Sequence, residues 1–122
     1  MPKIQVVFFR DDDGAVPVLD WVDRLNDKAQ AKCLVKIERL RDMGHELRRP
    51  EADYLRDGIY ELRVGLHGVN YRILYFFHKQ IAAVLAHGLV KERVVPGKAV
   101  DLAVKRKRKF ESDPEGHIHR EE

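Results

Sequence analysis

The sequence predicts an α+β domain with helices packed on one face of an antiparallel sheet. Three observations lead there. β-Branched and aromatic runs fall at residues 3–10, 59–66, 70–77 and 81–90, giving about four strands. Apolar residues at helical spacing lie between the first and second of these runs, and again after the last. The 122 residues make one ordinary domain, long enough to bury roughly two-thirds of the unfolded surface around a single core.

The first strand, KIQVVFFR, ends at the turn-forming DDDG. That turn is not a calcium loop: with Gly14 as the sixth loop residue, the first would be Phe9 rather than an acid. Pro17 suits a first helical position, and Val18, Leu19, Trp21, Val22 and Leu25 form a short apolar stripe that places Trp21 in the core. Asn26 or Asp27 caps a second helix, whose Cys33, Leu34, Ile37 and Leu40 recur until Gly44 stops it. Cys33 reads as a small buried hydrophobe, since no histidine lies nearby in sequence to activate it. The charged stretch GHELRRPEAD connects this helical hairpin to a three-stranded meander with turns at His67-Gly68 and Lys79-Gln80.

A last helix begins after Pro96-Gly97, carries Ala99, Val100, Ala103 and Val104, and runs into KRKRKF. The single domain therefore spans residues 1–110, and residues 111–122, without apolar periodicity, are expected to form a flexible charged tail. With all helices on one side, the other sheet face is left open. His117 and His119 do not make a metal site, because their spacing supplies no third ligand.

Composition limits the function classes. One cysteine excludes an internal disulfide and a thiolate metal cluster. MPKIQVVFFR has too short an apolar run for a signal peptide, and no stretch reaches the ~20 apolar residues of a membrane span, so a cytoplasmic protein with no membrane partner is expected. Net charge is only +3, but it is unevenly spread: −1 over residues 1–54, +2 over 55–90, +6 over 91–110 and −4 over 111–122. The localised cationic segment, with Arg93, Lys98, Lys105, Arg106, Lys107, Arg108 and Lys109, makes a polyanion such as RNA the partner to consider; a solvated helix face is the alternative.

YELRVGLHGVNYRILYFF places two arginines in the most apolar hairpin. If His67-Gly68 is a two-residue loop, Arg63 lies directly opposite Arg72, both pointing away from the apolar face of Tyr60, Leu62, Val64 and Leu66. A second two-residue loop at Lys79-Gln80 would set His87 opposite Arg72, with Lys91 just beyond on the same face. A slip of one residue in that loop would send His87 to the other face. Like charges directly opposite in a sheet are unfavourable, whereas an anion bridging them reverses the sign, and two guanidinium forks suit a phosphate. The competing reading is structural: Arg63 pairs with Glu61 or another carboxylate, and Arg72 lies over Tyr71 and Tyr75.

GIYELRVGLHGVNYRILYFF, IAAVLAHGLVKE, Pro96 and the helix at 99–103 resemble the RelE/HigB-type toxins of bacterial toxin–antitoxin pairs, in particular the phage-derived branch. PVLDWVDRL and GHELRRPEADYL resemble that family's first helix and helix-to-sheet connection. The resemblance implies a RelE-like fold and a ribosome-dependent endoribonuclease that cuts mRNA, stops translation and growth, and uses no metal or small-molecule cofactor. It implies a small helix-turn-helix antitoxin as partner. By position it makes Arg63, Arg72 and Lys91 the stabilisers of the phosphate, with His87 and Lys91 candidates for proton transfer.

Two positions depart from the family pattern. Leu89 stands where an aromatic is usual, and the lysine pair is Lys91-Glu92, with Arg93 following. The charge reversal keeps a non-catalytic RNA- or protein-binding module as the alternative. A structural phage-type protein assembling through its sheet edge is a third option.

Overall fold

The computed structural model describes residues 4–79, 82–90 and 94–119. Its elements, in order, are β1 (Gln5–Phe9), α1 (Pro17–Asp23), α2 (Asp27–Met43), β2 (Ala52–Arg56), β3 (Ile59–Leu66), β4 (Val69–His78), β5 (Ala82–Val90), α3 (Gly97–Ser112) and β6 (Ile118–His119). The strands form one sheet in the order β2-β3-β4-β5-β1-β6. β1 runs parallel to β5, and the other pairings are antiparallel. The mixed α+β class holds, with six strands rather than four.

Local chemistry sets the boundaries. Pro17 opens α1, the Asn26 side chain accepts the Ala29 N–H at 2.9 Å to cap α2, and Gly44 ends α2 at φ 55°. Two tight hairpins share one solution. His67-Gly68 has φ 51° and 78°, and Asp57-Gly58 has φ 53° and 80°, the double left-handed conformation whose twist matches the flanking strands. The second of these hairpins creates β2 at the end of the stretch read as a plain connection, and Asp-Gly is its sequence signal.

The sheet is buried on both faces, which corrects the one-sided expectation. Against α1 and α2 lie Leu62, Val64, Tyr71, Ile73, Tyr75, Ala83 and Leu85. Against α3 lie Phe9, Ile59, Leu74, Phe76, Val84 and Ala86, meeting Val100, Ala103, Val104 and Phe110. A strand covered on both sides reads as an unbroken apolar run, and ILYFF in β4 is such a run. Cys33 is buried on α2, and burial pushes its thiol up to about 11, in keeping with a packing role. Among the described residues no helix is long and apolar enough to cross a membrane.

Ordered elements continue past residue 111. α3 continues to Ser112, a 3-10 turn covers Glu115–His117, and Ile118 and His119 pair with Phe9 and Phe8. His117 is buried and stacks on Phe9, with centroids 5.6 Å apart and planes parallel to 1°. This packing depends on β1, more than 100 residues away in sequence.

Candidate functional site

Arg63 and Arg72 are direct partners across β3 and β4, as the turn arithmetic predicts. They share a carboxylate. Arg72 Nη1 donates to Glu61 Oε1 at 2.5 Å, while Arg63 Nη2 donates to Glu61 Oε2 at 3.0 Å. Arg63 Nη2 also reaches Asp53 at 3.3 Å, and Asp53 in turn pairs with Arg49 at 2.8 Å. The result is a chain of alternating charge, Arg49–Asp53–Arg63–Glu61–Arg72, running inward from the sheet edge. Within the structure the anion that reconciles the two arginines is Glu61.

Burial divides the pair. Glu61 and Arg72 are almost wholly covered, and Arg72 Nε has no partner among the described residues, while the Arg63 side chain keeps 35% of its surface in water. The sequence reading puts Arg72 outside the core; instead it is buried, opposite Leu89 on the sheet face against which α3 packs. The reachable guanidinium is Arg63.

His87 does not face Arg72. Leu89 occupies that position, and His87 sits two rungs further on, opposite Leu74. Two irregularities produce this. His78 pairs with Ala82, one residue later than a two-residue loop would set it, and Ala86 is an extra residue bulged between the Leu74 and Tyr75 rungs. Each shifts the register by one. Together they restore the parity, so His87 stays on the α3 side with Leu74.

The bulge frees the Ala86 carbonyl, and Arg106 of α3 donates Nη1 to it at 2.7 Å. Arg106 also lies over the Phe9 ring at 5.9 Å. His87 and Arg106 line a 380 Å³ cleft with Asp11, Trp21 and Arg24. Burial first, and the Arg106 charge second, lower the His87 pKa, so the imidazole is neutral near pH 7. Gly88 belongs to the same corner: a Cβ there would lie 2.3 Å from two Trp21 ring carbons, so only glycine lets α1 close on β5.

The basic helix splits by face. Lys98, Lys105 and Arg108 are exposed on one stripe, with Asp101 between them held by Arg56 at 2.6 Å. Lys107 donates to the Asp57 carbonyl at 3.2 Å, and Lys109 pairs with Asp11 and Asp12 at 2.9 Å each. Lys107, Lys109 and Arg106 therefore have partners within the fold. Lys91 and Arg93 lie outside the described residues, as does Glu92.

Sequence reasoning misses the Asp12–His117 contact, 2.8 Å from Oδ1 to Nε2, and the role of Arg106 at the bulge. No local pattern marks either, since both join segments distant in the chain. Glu61 is legible as a partner for Arg63, and its second contact to Arg72 follows from the register.

A comparison with curated proteins finds no match. The family model described as Phage derived protein Gp49-like (DUF891) matches residues 20–108. The match takes in Arg63, Arg72, His87 and Gly88, and most of the two helical layers. With well over half its length matched, the chain belongs to the Gp49-like phage-derived family, a family of RelE/HigB-like toxins.

Proposed function

We propose that the chain is the toxin of a toxin–antitoxin pair, a RelE-like, ribosome-dependent endoribonuclease that cuts translated mRNA without metal in the cytoplasm. The observation that carries this reading is the direct pairing of Arg63 with Arg72 in a Gp49-like chain. The same sheet face holds a neutral His87 and adjoins a helix with exposed Lys98, Lys105 and Arg108.

In this mechanism the ribose 2′-oxygen attacks the adjacent phosphorus and the bond to the 5′-oxygen breaks, leaving a 2′,3′-cyclic phosphate and a 5′-hydroxyl. Neutral His87 accepts the 2′-hydroxyl proton. Lys91, next along the chain from β5, donates to the departing oxygen or to the phosphate. Arg63 carries the developing negative charge, a role in which one preorganised donor contributes about 2.7–4 kcal/mol. Arg72 is a positioning residue, since it reaches the site through Glu61, which orients Arg63. The exposed stripe of α3 holds flanking RNA, and a helix-turn-helix antitoxin masks these cations in the resting cell.

One observation favours a second reading. Glu61 already occupies the anion position between the arginines, as expected of a binding module that holds RNA or protein without cutting. Brief expression of the wild-type chain and of Arg63→Ala, with mapping of new mRNA 5′ ends, separates the two. Growth arrest and cuts within translated regions from the wild type alone support the nuclease. Two soluble proteins that leave growth and transcripts unchanged overturn it in favour of the binding module. Arg63 is the residue to test, because loss of buried Arg72 would confuse activity with folding.

A further inference from the structure

We infer that the cleft beside the outer edge of β2 is a second binding site for single-stranded RNA, with one base stacked on Tyr54 and the adjoining phosphates on Arg48 and Arg49. The inference rests on the RNA target proposed above but concerns a different surface. The cleft encloses about 650 Å³ and is lined by His45, Arg48, Arg49, Asp53, Tyr54 and Tyr60.

Tyr54 is an aromatic plate held in the open. Its side chain belongs to the α2 face, since Tyr54 pairs with Tyr60 and Tyr60 with Tyr75. It remains 52% exposed. The Gly58 N–H donates to its hydroxyl at 3.0 Å, and its ring meets Tyr60 edge-on with centroids 5.0 Å apart. Anchored at both ends, the ring needs little ordering to accept a base, and every base has a face to stack.

The charges suit a phosphate backbone. His45, Arg48 and Arg49 are exposed, and the one acid of the lining, Asp53, is already shared by Arg49 and Arg63. Through Asp53 the cleft adjoins Arg63, so a strand leaving the arginine face could turn round the β2 edge and remain on cations. The aliphatic lining residues Leu47 and Ala52 are buried. An apolar side chain of a protein partner would therefore meet rings and guanidinium groups rather than an aliphatic pocket, which favours RNA over a peptide.

The test uses the full chain and a fluorescein-labelled RNA of about eight nucleotides with 2′-O-methyl riboses, which cannot be cut by the 2′-oxygen. Binding is followed by anisotropy across a salt series, with circular dichroism as the folding control. Tyr54→Ala is expected to weaken binding between about fivefold and about 150-fold, the span of base–aromatic stacking, while Tyr54→Phe stays near wild type. Arg48→Ala with Arg49→Ala is expected to lower the slope of log affinity against log salt by about 0.7 for each phosphate no longer neutralised. Unchanged affinity in a folded Tyr54→Ala, or no binding by the wild type, overturns the proposal. So does Tyr54-dependent binding of a polyglutamate peptide in place of RNA. Cleavage does not enter the readout: Tyr54-dependent binding without cuts in cells would sink the nuclease alone, and cuts without it would sink this site alone.

Discussion

The carboxylate of Glu61 and the guanidinium of Arg72 lie 2.5 Å apart with both side chains shut away from water. A buried pair of this kind contributes little relative to an apolar pair of the same shape, yet removing one member strands the other charge. Arg72→Ala and Glu61→Ala are each expected to lose about 3–5 kcal/mol in urea unfolding. Glu61→Leu combined with Arg72→Met should recover most of that loss, because neither charge is then left uncompensated. If the double variant is as unstable as the singles, the pair is not acting through burial of charge. Arg63→Ala, with a partly solvated side chain, should lose no more than about 1 kcal/mol and so serves as the functional probe.

The same pair shows how far the sequence can be followed. The number of residues in a turn places Arg63 opposite Arg72, and His67-Gly68 supplies that turn. The neighbouring hairpin defeats the same arithmetic, because a bulge at Ala86 is a tertiary feature stabilised by Arg106, which lies 20 positions on. The side of the sheet on which His87 falls survives only because two single-residue shifts cancel. α3 on the second face is legible in principle from the unbroken ILYFF, but the alternation in β3 suggests one covered face. The fate of residues 111–119 is not legible, since EGHIH carries no period and its partner strand lies at the opposite end of the chain.

Gly88 converts a sequence detail into a packing test. A methyl group there would lie 2.3 Å from the Trp21 ring, whose edge contact with Tyr71, 6.3 Å between centroids, would shift with it. Gly88→Ala is expected to destabilise by about 1–3 kcal/mol, the usual cost of overpacking. Tryptophan emission gives the independent readout: it should shift toward that of a solvated indole as α1 is pushed from β5. A variant with unchanged melting temperature and unchanged emission would show that the contact is not tight in solution.

His117 and His87 should make stability depend on pH with opposite signs. The His117 pKa is raised, chiefly by its bond to the Asp12 carboxylate, so the folded state binds the proton more tightly than the unfolded chain. Its contribution is full below the ordinary histidine value near 6.5 and is lost as pH rises through the raised folded value. His87 is shifted down by burial, so its contribution is present above about 6.5 and is lost as pH falls toward the lowered folded value. Asp12 is held below the usual carboxylate range by Lys109 and then His117, and remains ionised throughout this interval. Thermal melts of wild type, His117→Gln and His87→Gln from pH 5 to 9 check the signs. The deficit of His117→Gln should be largest at the acidic end and shrink toward pH 9, once the constant loss of ring stacking on Phe9 is subtracted. For His87→Gln the slope should reverse, with the variant gaining on the wild type as pH falls. NMR titration of the two rings supplies the direct check, with His117 expected to titrate above and His87 below the ordinary value.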